Sequence, residues 1–295
     1  NIYMIRIVGD LILDEYWYGS TTRISPEAPV PIVNLDRKET RLGGVGNVYN
    51  NIVSIVPTVD FATYADSPAL KLLDIDNVRL FGTEKIPLKI RVVSEGHYMS
   101  RVDDEQYIQQ TELEENIWKS IALDKKDIVV FSDYNKGTIK KPAEFIKNTK
   151  AKVLVDPKLS LDNYKGAYLC TPNKKEFEAY VGKCNSVKEL IAKATLTRDH
   201  LELNHLIVTL GSEGVLLIGD SIEYYEATQQ EVYDVTGAGD TFMAGIALSL
   251  NLGLNISAAT IIANNLAGIA VGHNGTYVIT LEDWRTASEN IINGG

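Results

Sequence analysis

The chain is predicted to fold as an α/β domain with a mostly parallel sheet, helices on both faces and a small β lid. Three observations predict this. From Asp127 onward, short β-branched runs alternate with helical patterns. Each run is followed by polar or turn residues at what would be one edge of the sheet. A glycine turn, Asp234-Val235-Thr236-Gly237-Ala238-Gly239-Asp240-Thr241, opens an apolar helix near the C-terminal end.

In chain order, Ile5-Arg6-Ile7-Val8 reads as a core strand ending at Gly9-Asp10. The next stretch, Glu15 to Asp36, is aromatic and holds Pro26, Pro29 and Pro31, which exclude a central strand and fit an edge or a separate small sheet. Lys89 to Val93 and Tyr98 to Val102 alternate in polarity around Glu95-Gly96, the pattern of a hairpin. Together these segments, about 11–35 and 86–103, would form the lid, whose apolar face also suits a homodimer contact. The parallel strands follow: Ile128 to Phe131, Val153 to Val155, Tyr168 to Cys170 and Leu206 to Thr209. After them come Ser132-Asp133, Asp156-Pro157-Lys158, Thr171-Pro172-Asn173 and Leu210-Gly211, which open α/β sheets present to ligands. No repeat or low-complexity segment interrupts the pattern, so residues 1–295 read as a single domain.

Composition bounds the function. The 295 residues are 45% hydrophobic and 23% charged, which supports a full core. A net charge of -10 and a pI near 5.0 argue against a nucleic-acid sheath, while leaving room for a local basic site. Cys170 and Cys184 form no metal or disulfide pattern and suit a reducing compartment. No membrane-length apolar run or signal pattern is present in the sequence, so a cytoplasmic protein is expected. His97, His200, His205 and His273 lack ligand spacing and read as structural.

The glycine turn carries the chemistry. Phe242, Met243, Ile246, Ala247 and Leu250 recur at helical spacing behind it, which places the amides of Gly237, Ala238 and Gly239 in an uncapped first turn. Orphan amides and the positive end of the helix dipole attract a phosphate. Asp240 beside them can take a proton from an attacking hydroxyl. The plainer alternative is a helix N-terminus with glycines for packing and an Asp serving the dipole. Asn173 and Glu176 lie three apart and share a helix face, an oxygen-rich surface suited to magnesium held through water. Reciprocal helix capping is the alternative for that pair.

Gly9-Asp10, Gly43-Gly44 with Asn47, Asn173-Lys174-Lys175-Glu176 and Thr236-Gly237-Ala238-Gly239-Asp240 occur in an order that resembles the ribokinase-like (PfkB) carbohydrate kinases. Further phrases are similar to the D-glycero-β-D-manno-heptose 7-phosphate kinases within that family. These are Trp17-Tyr18-Gly19, Arg23 to Pro31, Ser132-Asp133-Tyr134 with Lys136-Gly137, Asp156-Pro157-Lys158 and Glu231 to Val235. The resemblance implies a ribokinase-like fold, ATP with Mg²⁺, room for a monovalent cation, and transfer to the anomeric hydroxyl of a heptose 7-phosphate.

It also implies roles. Asp240 matches the catalytic base, Gly237, Ala238 and Gly239 the anion hole, and Asn173 and Glu176 the motif that organises magnesium and phosphates through water. Asp10, Gly43, Gly44 and Asn47 match sugar-contacting positions, and Thr209, Gly211 and Asn264 nucleotide-pocket positions. Lys89, Arg91, Arg101, Lys136 and Lys158 are the candidates for anchoring the phosphate already on the substrate. Arg101 and Lys136 are favoured, Asp133 is counted with the substrate side and Lys158 with the nucleotide. A solvated surface role is the alternative for each cation.

Two departures stand out. One βα unit between Asp60 and Arg79 looks shortened, and no nucleotidyltransferase segment follows, so the chain is expected to be the kinase alone. Within the same class, a ribokinase-like kinase for another sugar or a nucleoside is the runner-up; a nucleotide- or sugar-binding protein without turnover is the competing class. A dinucleotide-binding dehydrogenase fits less well, because the glycine turn does not follow the first strand.

Overall fold

A computed structural model describes residues 4–73, 78–83, 85–113, 127–228 and 232–292. Among these residues the main sheet has nine strands. On one side of the first strand, β1 (Ile5–Gly9), lie β4 (Asp60–Ala65) and β5 (Val78–Gly82). On the other lie β8 (Ile128–Ser132), β9 (Lys152–Asp156), β10 (Leu169–Cys170) and β11 (His205–Thr209), all parallel to it. An antiparallel pair, β12 (Val215–Ile218) and β13 (Ile222–Tyr225), closes that edge. The expected parallel strands are all present, and the chain reverses its direction of growth at β1/β8, the crevice where α/β sheets bind ligands.

Side chains leave both faces of each central strand. Ile5, Ile7, Val130, Leu154 and Ile207 pack in one core against α1 (Val45–Val53), α6 (Ala238–Asn251) and α7 (Ile256–Val271). Val8, Val129, Phe131, Val155 and Val208 share the second core with Phe145 of α3 (Pro142–Asn148), Phe177 of α4 (Lys174–Val181) and Leu190 of α5 (Val187–His200). Gly9 allows β1 and β8 to meet, because a Cβ there would run into the Ser132 carbonyl. The last helix, α8 (Leu281–Ile292), adds Trp284 and Ala287 to the first core.

The segments expected as a lid form a four-stranded sheet: β2 (Leu11–Ile24), β3 (Pro31–Gly44), β6 (Leu88–Ser94) and β7 (His97–Asp104), in the order β3-β2-β6-β7. β3 starts at a proline and sits at the edge, as proline in a strand requires. Glu95 and Gly96, both at positive φ, make the β6–β7 turn. β3 runs to Gly44, about nine residues past the expected limit of the first lid segment. There a φ of 57° turns the chain from strand into α1.

The shortened unit keeps its strand. β5 pairs with β4, and among the described residues the connection contains one helical turn, α2 (Ser67–Leu70). Asp66 caps that turn and also accepts the Ile86 amide at 3.2 Å, tying the sheet edge to the start of β6. Residues 74–77 and 84 of this region, and Glu231 of the resemblance phrase, lie outside the described residues.

Candidate active site

Gly237 stands in the left-handed region at φ 77° and precedes α6 with no side-chain cap. A Cβ there would lie 2.5 Å from Asn47 Nδ2, so both backbone and packing require glycine. The Ala238 amide donates to the Val235 carbonyl at 3.3 Å, a departure from the expectation that it is free: the turn folds back on it. Among the described residues, the amides of Gly237, Gly239 and Asp240 meet no acceptor. Open space lies where a Cβ of Gly239 would be, so a phosphate can reach the backbone.

Asp240, in the first turn of α6, is 3% exposed. Tyr134 Oη donates to its Oδ1 at 2.8 Å and Asn47 Nδ2 to its Oδ2 at 3.1 Å. Burial pushes its pKa up to about 7; Asp156 adds to the rise, while the two donated bonds and the Lys158 charge oppose it. A carboxylate so poised suits proton abstraction near neutral pH.

Gly237, Gly239 and Asp240 face Asp156, Lys158, Asn173, Glu176, Thr209 and Tyr134 across a cavity of about 210 Å³. Residues from the ends of β8, β9, β10 and β11 thus meet the start of α6. Asn173 and Glu176 form the reciprocal capping box: Oδ1 of Asn173 accepts the Glu176 amide at 2.9 Å, and Oε2 of Glu176 accepts the Asn173 amide at 2.8 Å. Capping and a cavity position coexist here. Lys158 bridges Glu176 and Asp156, and burial lifts the Asp156 pKa to about 6 against the pull of that ammonium.

Unpaired amides and Lys158 fit phosphate oxygens. Among the described residues no three His, Cys, Asp or Glu are grouped to grip a metal directly. Asp156 and Glu176 therefore fit magnesium held through water and nucleotide phosphates.

Several expected positions lie elsewhere. Asp10, expected to read hydroxyls, has both oxygens engaged: Oδ2 accepts the amides of Tyr134 and Lys136, and Oδ1 that of Thr138, at 2.8–3.0 Å. It staples the loop after β8. Asp133 turns into the second core, accepting from Tyr164 Oη at 2.7 Å and from the Asn135 amide, and does not border the cavity. Asn47 reaches Asp240 and the Gly237 carbonyl while its own oxygen accepts from Asn51, which joins it to the carboxylate.

Asn264 donates to the Glu226 carbonyl, and Gly211 begins a short 3-10 turn at φ 63°; neither borders the cavity. Arg101 is exposed and paired with Asp103, and Lys136 pairs with Glu105. Arg91 forms a buried pair with Asp14. Of the five candidate cations, only Lys89 has no ion-pair partner among the described residues, and it lies 5.6 Å from the Tyr134 ring centroid.

Sequence reasoning passed over Asp14 and Asn51. Asp14 is 4% exposed on β2 and fills the space beside Gly43, where a Cβ would collide with its carboxylate. Asn51 donates to Asn47 and to the Tyr277 carbonyl and accepts the Ile279 amide. Its spacing of four from Asn47 on α1 was the available signal.

A phosphate-receiving helix start with a buried carboxylate, set at the switch point of an α/β sheet beneath a small second sheet, defines a phosphotransferase of the ribokinase-like fold. The description "pfkB family carbohydrate kinase" matches residues 18–284, and the chain belongs to that family. It is an ATP-dependent sugar kinase.

The Bifunctional protein HldE of Methylococcus capsulatus is 39% identical over 96% of this chain and 63% of its own length. That of Hahella chejuensis is 38% identical, again over 96% of this chain and 63% of its own. The chain thus spans somewhat under two thirds of these relatives. Among solved structures, phosphofructokinase-2 of Escherichia coli in complex with substrates and products superposes with a TM-score of 0.80 at 16% identity, covering 99% of this chain and all of the other. Ribokinase of Thermotoga maritima gives 0.79 at 19% identity, covering 98% of this chain and all of the other. Both show the fold.

Proposed function

We propose that the chain phosphorylates the anomeric hydroxyl of D-glycero-β-D-manno-heptose 7-phosphate, giving the 1,7-bisphosphate, as the kinase part of a protein related to the bifunctional relatives. The observation that carries the transfer is Asp240, buried beside unpaired amides with its pKa near 7. Bound ATP with magnesium supplies the phosphoryl group. Asp240 takes the proton from the acceptor hydroxyl, and the amides of Gly237, Gly239 and Asp240 hold the phosphoryl oxygens. Lys158 offsets charge on the nucleotide side. Lys89 is the cation available for the phosphate on the acceptor. Asp14 and Arg91, beside Gly43, form the polar wall offered to the sugar.

The lid excludes water that would otherwise hydrolyse ATP. Its residues Ile24, Leu35, Met99 and Val102 are exposed, which supports a second copy as the partner of this sheet.

The test is ADP release with ATP-Mg²⁺ and the heptose 7-phosphate, beside unphosphorylated sugars and an Asp240→Asn control. Turnover confined to the phosphorylated heptose and lost in the control is expected. Equal turnover with unphosphorylated sugars would reassign the acceptor.

A further inference from the structure

We propose that Tyr134 is a positioning residue for Asp240: its phenol holds one carboxylate oxygen while Asn47 holds the other, fixing the carboxylate plane at the floor of the cavity. The inference rests on the reading of Asp240 as the base. Each oxygen accepts one bond and keeps a lone pair for an acceptor hydroxyl. With both atoms tethered, the carboxyl cannot rotate out of line as substrate arrives, which is the preorganisation that general-base catalysis needs.

The surrounding structure is built to place this phenol. Ser132 ends β8, and the next residues run through a loop that Asp10 gathers by accepting the amides of Tyr134, Lys136 and Thr138. Asp133 accepts the Asn135 amide, and Asn135 and Gly137 both adopt positive φ. A Cβ on Gly137 would run into the Ile108 carbonyl. A buried carboxylate, two left-handed residues and a glycine-only approach all fix a loop whose one side chain reaching Asp240 is Tyr134. The phenol stays protonated, since burial first and then Asp240 and Asp156 hold its pKa well above the usual value, so it is a constant donor.

The charged groups around the pair are these. Asp156 ends β9 and Lys158 follows it, and Glu176 from α4 reaches the pair through Lys158. Lys89 of β6 and Lys158 lie 5.6 and 5.3 Å from the Tyr134 ring centroid, and Asp14 acts on it from β2. A bond donated to a carboxylate favours its charged form, so removing the phenol oxygen raises the Asp240 midpoint.

Tyr134→Phe keeps the ring and deletes the donor. The titration of the Asp240 carboxyl carbon is followed in aspartate-labelled protein, the resonance being assigned by its loss in Asp240→Asn, and the acid limb of kcat is recorded alongside. The expected result is a midpoint about one unit higher in Tyr134→Phe, the same displacement of the acid limb, a kcat at pH 7 lower by about tenfold, and an unchanged Kd for ATP. A midpoint that stays within about 0.3 unit of wild type overturns the proposal. Because the titration needs no turnover, failure of the wild type to release ADP would count against the kinase reading and leave this result standing by itself.

Discussion

Asp240 joins two properties that conflict elsewhere in proteins: near-complete burial and a role that needs negative charge. Burial sets the acid limb of the reaction, so kcat is expected to fall below a midpoint near 7, the value to which Asp240 is lifted. Asp240→Asn should lower kcat by at least about a thousandfold with ATP affinity kept, as measured by ADP release and calorimetry. At the acceptor end, Lys89→Ala should raise KM for a phosphorylated acceptor by about ten- to a hundredfold, the loss of one charge-assisted bond. The same change should leave KM for ATP alone. Equal KM values in wild type and Lys89→Ala would remove Lys89 from the acceptor site. Asp240, Gly237, Asn173 and Glu176 were legible in the sequence because turn chemistry and helical spacing are local. Asp14 was not: its importance comes from Gly43 and Arg91, about 30 and 77 positions away.

At the scale of elements, the loop after β8 shows why strand ends can be read from sequence and the orientation of their side chains cannot. Alternating β-branched runs fixed β8, β9, β10 and β11 to within a residue or two, and Glu95-Gly96 fixed the hairpin turn. Whether Asp10 pointed at ligand or at backbone depended on Tyr134, Lys136 and Thr138, more than 120 residues later. The helical connection after β4 was likewise visible as a shortage of residues, while retention of β5 became apparent from its pairing. Asp10→Asn tests the staple. It sets an amide donor against backbone donors in a site 1% exposed, which should cost about 2–3 kcal/mol of stability. Urea denaturation would register this as a lower midpoint with an unchanged slope. Turnover should fall with it, since the loop carries Tyr134. A variant as stable as wild type would show that the three amides find other acceptors.

The whole molecule holds its site at a cost that pH reveals. Among the described residues burial raises three carboxyls in the folded state, Asp133 and Asp156 to about 6 and Asp240 to about 7. Between the unfolded value near 4 and these folded values, the native state binds more protons than the unfolded chain, so each group makes stability fall as pH rises through that window. Other groups act in the opposite sense. Burial depresses His205, which loses stability as pH drops through its unfolded value. Asp234 and Asp283, although buried enough to oppose it, are held low by donated hydrogen bonds and lose stability in stronger acid. A melting curve of wild type alone therefore mixes signs, and the informative quantity is its difference from Asp240→Asn at each pH. Asn at this position is neutral throughout and can still bond Asn47 and Tyr134. The variant should match wild type near pH 4, gain on it as pH rises towards 7, and stay ahead above that by on the order of 4 kcal/mol. In a chain of this size that is a rise of several degrees in Tm. The protein would then be more stable without its base than with it, as expected where function keeps a charge in a dry site. Equal melting temperatures at pH 8, or a difference that widens towards acid, would show that Asp240 is solvated enough to ionise without penalty.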